Sequence, residues 1–199
     1  MKKLILTAAV AIVSFTANSQ VNWKVDASHS KLGFSVTHMM VTETEGKFKV
    51  YEGKVSSKTE MDFTNASIDF TADVASINTE DEKRDAHLKS ADFFDAEKNP
   101  KISFKSINMK LNPKKGKTAY DLEGELTMHG VTKKVTLTAI GASKVMNDPW
   151  GNTKYGFKVT GIVNRKDFGL NWNAALEGGG FVVGEEVKID INIELNKIK

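Results

Sequence analysis

The chain of 199 residues contains no cysteine and only three prolines. The absence of cysteine excludes disulfide bonds, thiol catalysis, zinc–thiolate sites and a lipid-modified N-terminal cysteine. An excess of one charge is also lacking, because 28 basic and 25 acidic residues give a net charge of +3 and are interleaved along the chain. This balance is typical of a solvated surface, and we expect no nucleic-acid partner.

Hydrophobic runs long enough to span a membrane comfortably are absent as well. The longest run, residues 4–15, follows two lysines and precedes small residues at 17–19. This arrangement is typical of a secretory signal peptide. We therefore expect residues 1–19 to be cleaved and residues 20–199 to form one domain in the periplasm or outside the cell, without stable membrane insertion.

Alternation of apolar and polar residues is the main pattern that is present. In the clearest of about eight such segments, Val187, Ile189 and Ile191 alternate with charged and amide residues. Successive side chains of a strand face opposite sides, so each segment has one apolar face. The pattern predicts an all-β fold, a single antiparallel barrel of about eight long strands with an apolar interior.

A short helical insertion is expected between the third and fourth of these strands. Thr79 and Glu82 have the spacing of a capping box with Thr79 as the N-cap, and the helix should end near Lys89. Elsewhere, residues 45–46 suggest a turn into a second strand that carries Phe48 and Val50. Residues 129–130 indicate a tight hairpin.

The candidate lumen residues are the apolar side chains on the inward faces of the strands, together with the aromatic residues near the helix and after the strand that ends before Arg165. Apolar side chains in these positions would line a barrel interior. They are Phe34, Val36, Phe48, Ile68, Phe70, Phe93, Phe94, Phe104, Leu122, Leu126, Leu137, Phe157, Val159, Phe168 and Ile191.

Three polar residues are candidates for a rim at the barrel opening. His38 and Arg165 continue the inward parity of their strands, and Arg84 lies on the helix. Two interpretations stay open: the strands have ended and these side chains reach water, or they hold the polar head of an apolar ligand. The four histidines lack metal-ligand spacing and no nucleophile motif is present, so we expect neither a metal site nor catalytic residues.

Several motifs follow one another in a fixed order along the chain. They are Trp23-x-x-Asp26-x-x-His29-Ser30, Gly46-x-Phe48, Arg84-Asp85-x-His87-Leu88-x-Ser90-x-Asp92-Phe93-Phe94-Asp95, Pro100-x-Ile102-x-Phe104, Gly124-x-Leu126-Thr127-x-His129-Gly130-Val131-Thr132, Asn164-Arg165-x-Asp167-Phe168-Gly169 and Val183-Gly184-x-Glu186-Val187. In this order and coverage the chain resembles the YceI-like polyisoprenoid-binding family.

The resemblance implies a lipocalin-like barrel, residues 20–199, that holds a long isoprenoid of quinone or polyprenyl type, or a fatty chain, in its lumen. It implies a periplasmic or secreted carrier with no catalytic residues and no cofactor other than the bound lipid. Two alternatives stay open: an enzyme that modifies such a lipid, and an all-β surface interaction protein with a solid core. A homodimer and a transient membrane contact also stay open.

Overall fold

The computed structural model describes residues 20–199, and the predicted signal peptide, residues 1–19, lies outside the described residues. No helix within residues 20–199 is long and apolar enough to cross a membrane. Three short 3-10 turns lie at Ala27–His29, Val74–Ser76 and Arg165–Phe168. The other elements are β1 (Val21–Val25), β2 (Lys31–His38), β3 (Thr42–Phe48), β4 (Tyr51–Ser57), β5 (Ser67–Asp73), β6 (Ile77–Asn78), α1 (Glu82–Lys89), β7 (Lys101–Leu111), β8 (Ala119–Met128), β9 (Val131–Gly141), β10 (Met146–Asn147), β11 (Thr153–Asn164) and β12 (Val183–Lys197).

The strands form a closed antiparallel barrel. The order around the ring is β11-β9-β8-β7-β5-β4-β1-β12, and pairing of β11 with β12 closes it. Strands β2 and β3 extend β1 and β4 beyond a bend, since β12 pairs with β1 near one end and with β2 along the rest. Counting each bent pair as one long strand gives eight, with α1 between the third and fourth. The predicted fold class is confirmed.

One end of the barrel, which we call the Trp23 end, is filled by aromatic side chains. Trp23 and Phe63 have no exposed surface. The Phe63 ring packs against Tyr155 and Phe157, with centroid distances of 4.9 and 4.8 Å. Burial raises the pKa of Tyr155 to about 12, and its hydroxyl donates to Ala142 O at 2.8 Å. This end is therefore closed by packed, satisfied side chains.

The opposite end, the Arg165 end, is covered by α1 and by the segments that follow α1 and β11. Phe93, Phe94, Phe168 and Leu170 are buried there in a second core cluster. The hairpins β2–β3 and β8–β9 and the start of β12 meet at this end. The lumen lies between the two core clusters.

The predicted turn at residues 45–46 is wrong. The chain turns earlier, at Met39 and Met40, and Gly46 lies inside β3 opposite Phe34. A Cβ on Gly46 would overlap the Phe34 ring, so the missing side chain makes room for an inward aromatic residue. The glycine serves close packing across the strands rather than a turn.

The second predicted strand is split by a bend, which also removes Val50 from the interior. The Ser76 hydroxyl accepts from the backbone N–H groups of Lys49 and Val50, at 3.1 and 3.0 Å. The bend changes the facing parity, so Val50 is exposed and β4 begins anew at Tyr51. A side chain 26 residues away causes this break, and local alternation cannot reveal it.

The helix ends at Lys89, as predicted, but its N-cap is Asp81 rather than Thr79. The Asp81 carboxylate accepts from Arg84 N at 2.9 Å. Thr79 is buried instead, and its N–H and hydroxyl both donate to Asp85 Oδ1. The hairpin at residues 129–130 is confirmed, with both residues at positive φ.

Candidate functional site

A cavity of about 250 Å³ occupies the barrel between its two packed ends. Its wall is apolar and is built from the inward faces of the ring strands, as alternation along each strand requires. Every residue of the candidate lumen set lines it except Phe168. The structure therefore brings together side chains that are spread over most of the described chain.

Phe168 lies outside the wall because its strand has already ended. Strand β11 stops at Asn164, and Phe168 lies in the 3-10 turn that follows, so strand parity no longer sets its direction. It is buried in the second core cluster, and its carbonyl accepts from His129 Nδ1 at 3.1 Å. Phe168 anchors the turn to the β8–β9 hairpin.

Several wall residues were missed by the sequence argument. Met109 is one of them: the register of β7 shifts between Ser106 and Asn108, and this bulge reverses the parity set by Phe104. Leu170 lies in an irregular segment and has no periodic signal at all. Val183, Val187, Ile189 and Ile193 also line the wall, and the last three lie on the apolar face that alternation already predicted for this strand, although they were not in the candidate set.

Arg165 faces the lumen wall, and its guanidinium is held by backbone carbonyls. The residue is 3% exposed. Nε donates to Gly184 O at 2.8 Å, Nη1 donates to Leu170 O and to Trp172 O, and Nη2 donates to Val183 O at 3.3 Å. Of five guanidinium N–H groups, one on Nη2 has no partner among these bonds. The side chain thus ties the loop after β11 to the start of β12.

Within residues 20–199, no carboxylate oxygen bonds to the Arg165 guanidinium. Burial lowers the pKa of Arg165, and the negative charge of nearby Glu185 partly opposes this shift. An arginine retains its proton under such conditions. The Arg165 end of the lumen therefore carries a buried positive charge that carbonyl dipoles solvate.

The expected polar rim does not assemble. Arg84 Nε and Nη2 donate to the hydroxyl and the carbonyl of Thr79, both at 2.8 Å, which places Arg84 in an outer groove beside β3. His38 ends β2, opposite Val183, and does not line the cavity. Arg84 is absent from the rim because α1 packs beside β6 and the Arg84 side chain turns back onto Thr79, before its own helix.

An aromatic cluster covers the barrel near α1. His87, Phe93 and Trp172 contact one another with centroid distances of 4.8 to 5.1 Å. His87 Nε2 lies 3.2 Å from Asp92 Oδ2. Because Phe93 also lines the cavity, this cluster forms part of the cover over the lumen.

One group of carboxylates and a histidine outside the lumen has ligand atoms close together: Asp26, His29 and Glu194. Lys154 Nζ lies 3.0 Å from Asp26 Oδ2 and 2.7 Å from Glu194 Oε1. The ammonium already supplies a cation to these carboxylates. The group is therefore an ionic junction between β11, β12 and the bend after β1.

A closed antiparallel barrel around an apolar lumen is the class of protein that this fold and cavity define. The sequence profile of the YceI-like domain family matches residues 23–195, so the chain belongs to the YceI-like family.

Relatives and solved structures agree with this assignment. The chain is 34% identical over 175 residues to UPF0312 protein SA2479 of Staphylococcus aureus, covering 88% of this chain and 97% of that protein. BcnA of Burkholderia cenocepacia has a similar structure, with a TM-score of 0.72 and 25% identity over 85% of this chain and 98% of the other. A polyisoprenoid-binding domain from Saccharophagus degradans shares the fold, with a TM-score of 0.61 and 16% identity over 88% and 98%.

Proposed function

We propose that this protein is a non-catalytic carrier that holds a long isoprenoid or fatty-chain lipid in the barrel lumen. This proposal rests mainly on the apolar cavity of about 250 Å³ inside the barrel. The fold shared with the polyisoprenoid-binding domain of Saccharophagus degradans supports an isoprenoid as the cargo. A quinone or polyprenyl chain suits a lumen that runs between the two core clusters.

The energetics favour an apolar chain as cargo. Each methylene removed from water contributes roughly 0.8 kcal/mol, so several isoprene units outweigh the cost of association. An apolar cavity of about 150 Å³ is known to stay dry and bind benzene. A wall made almost entirely of apolar side chains therefore selects for hydrocarbon over water.

Arg165 is our candidate contact for a polar head group. One of its Nη2 hydrogens has no partner among the bonds described above, and in this proposal it donates to one carbonyl or phosphate oxygen. His38 and Arg84 lie away from the wall and are not part of this proposal.

A matched pair of substitutions on β9 tests the carrier proposal. Ala139 is buried and lines the lumen, whereas its neighbour Ile140 faces outward. We expect Ala139→Phe to empty the barrel and Ile140→Phe to leave its lipid content unchanged, because only the first places a ring in the cavity. The measurement is native mass spectrometry after gentle purification, with extraction of the bound lipid.

Equal lipid content in both variants would contradict the proposal. Recovery of a lipid that the protein has altered chemically, when the protein is incubated with a defined polyprenyl quinone, would favour the enzyme instead. Among the described residues, Arg165 is the charged side chain that is both buried and at the cavity wall, and an arginine is a poor proton-transfer group.

We also propose that the carrier is exported and acts in the periplasm or outside the cell. Two lysines, the apolar run at residues 4–15 and the small residues at 17–19 support cleavage before Gln20. Mass spectrometry of the protein from its host should give an N-terminus at or near Gln20. Cytoplasmic protein that retains Met1 would contradict this prediction.

A further inference from the structure

Four apolar side chains are exposed next to one another at the Arg165 end. Met39, Met40 and Val41 form the tip of the β2–β3 hairpin, and Phe181 lies in the loop before β12. Met40 is 72% exposed, Val41 82% and Phe181 53%. Met39 N–H donates to Val182 O at 2.8 Å, which joins the hairpin to the loop. We call these four residues the apolar tip.

The turn in the apolar tip adopts a backbone that methionine disfavours. Met39 and Met40 have φ angles of 50° and 61°, and Val41 N–H donates to His38 O at 3.0 Å. A β-turn with positive φ at both central residues prefers Asn-Gly there, because a Cβ is strained at positive φ. The β8–β9 hairpin has glycine at its second position, residue 130. The turn geometry does not favour methionine, which indicates that Met39 and Met40 are present for the contacts that their apolar side chains make.

The apolar tip is continuous with the lumen wall. Val36 and Val183 line the cavity, and their strands run directly into the tip, with His38 opposite Val183. At the other end of the barrel, Trp23 and Phe63 seal the interior, so the exposed Trp150 beyond them has no such connection. The tip therefore adjoins the Arg165 end of the lumen.

Two ion pairs lie beside the apolar tip, and Glu177 in the same loop as Phe181 is exposed, so no excess of positive charge is present there among residues 20–199. Glu43 forms an ion pair with Lys188, and Glu185 forms one with Lys166. Lys166 Nζ also lies 5.8 Å from the centroid of the Phe181 ring. Paired charges give little net field, so this surface does not select an anionic partner. An apolar tip between neutral pairs matches a zwitterionic interface.

We propose that the apolar tip docks the protein onto a zwitterionic phospholipid bilayer, where the lipid passes between membrane and lumen. The transfer rests on the proposed carrier function, whereas the docking does not. Exposed methionine, valine and phenylalanine side chains gain free energy when they enter the acyl boundary. Docking at this end brings the continuous wall of Val36 and Val183 next to the membrane from which an insoluble chain must come.

The test compares a turn that is relieved of strain with a control at the other end. The double variant Met39→Asn, Met40→Gly removes two apolar side chains and installs the favoured turn sequence. The control is Met146→Ser with Trp150→Ser, since both residues are exposed and lie near the Trp23 end. Sedimentation with phosphatidylcholine vesicles measures docking, and the rate at which a polyprenyl quinone moves from the same vesicles into the barrel measures transfer.

We expect the turn variant to bind vesicles and acquire quinone at least about tenfold less well, with a melting temperature equal to or above that of the wild type. Adding Phe181→Ser to the turn variant should weaken vesicle binding further. The control should match the wild type, and neither added salt nor phosphatidylglycerol should increase docking greatly. A stable variant with weak docking cannot be explained by unfolding.

Wild-type vesicle binding by the turn variant, or loss of binding only in the Trp150 control, would overturn the proposal. So would a dimer that the tip substitutions dissociate while vesicle binding persists, because the tip would then bind a second copy. If vesicles bind through the tip but no quinone enters the barrel, the carrier function fails and the docking stands.

Discussion

Arg165 shows how one side chain can be a wall of the lumen and a structural tie at once. Its guanidinium donates to carbonyls of Leu170, Trp172, Val183 and Gly184, which belong to two segments that meet at the end of the barrel. Buried carbonyls need donors, and a planar fork with five N–H groups serves several of them together. The sequence signal, a polar residue at an inward parity, left open whether the side chain reaches water or faces the lumen, and it gave no partners.

Replacing Arg165 by methionine should lower the free energy of unfolding by about 3 kcal/mol or more, because buried carbonyls lose their donors. Arg165→Lys should lose less but not recover fully, since an ammonium cannot serve the same fork. Urea denaturation checks both. The control is Lys166→Met, which removes a surface ion pair and a contact with the Phe181 ring and should cost about 1 kcal/mol or less. Full stability of Arg165→Met would contradict the structural role.

At the scale of the elements, bends join short strands into the long strands of the barrel. At the bend between β1 and β2, the Asp26 carboxylate accepts from Ser28, Lys154 and Asn196. The hydrogen bond from the Ser28 side chain is the largest of the causes that hold the pKa of Asp26 well below its usual range, followed by bonds from His29, Lys154 and Asn196. One carboxylate thereby joins the bend to β11 and β12.

The low pKa of Asp26 in the folded protein should make the free energy of unfolding fall in acid. A carboxyl whose pKa is lower in the folded state contributes stability above its unfolded pKa of about 3.9, and this contribution declines as pH falls towards the folded pKa. Asp26→Asn should lower the free energy of unfolding by about 2 kcal/mol at pH 7 and flatten its decline below about pH 4. Urea midpoints across this range measure both effects.

Two comparisons sharpen the Asp26 prediction. Glu60 pairs with Lys197 at the surface, so Glu60→Gln is a matched control that should leave the acid limb nearly unchanged. An Asp26→Asn variant with the same pH profile as the wild type would show that the junction contributes nothing to acid sensitivity.

At the scale of the whole molecule, the two ends of the barrel are covered by different core clusters. The Trp23 end is packed by side chains that come from residues 23, 63, 155 and 157. The Arg165 end combines α1 and its aromatic cluster, which cover the lumen, with the buried guanidinium of Arg165 and the apolar tip. On the carrier proposal, a bound chain should take one orientation, with its head group towards Arg165, because the two ends of the lumen differ in polarity.

Such a carrier should be stabilised by its cargo. A ligand that binds only the folded state at one hundred times its Kd adds about 2.7 kcal/mol. Removing the lipid by solvent extraction should therefore lower the melting temperature, and adding it back should restore it. Phe70→Asp should abolish this shift and also destabilise the protein, because it buries a charge in the lumen.

Ser67→Asp provides the control, because Ser67 is exposed on the same strand. It should retain the lipid-dependent shift. A melting temperature that is the same with and without lipid in the wild type would contradict cargo binding in the lumen.

Local patterning by itself determined the fold class and most of the lumen. Alternation records which face of a strand is apolar, and a barrel has only one dry side, so residues such as Phe34, Phe104 and Val159 could be placed without coordinates. The Leu137 and Phe157 positions follow from the same rule on neighbouring strands.

Only the tertiary structure decided where that parity breaks and what the polar residues bind. Ser76 bends the chain at Val50, a bulge reverses β7 before Met109, and Arg165 finds carbonyls instead of water. Each of these depends on groups brought together from distant positions or on a local irregularity of pairing. Periodicity reports the direction of a side chain relative to its neighbours in the chain, whereas its partners are set by how the strands meet.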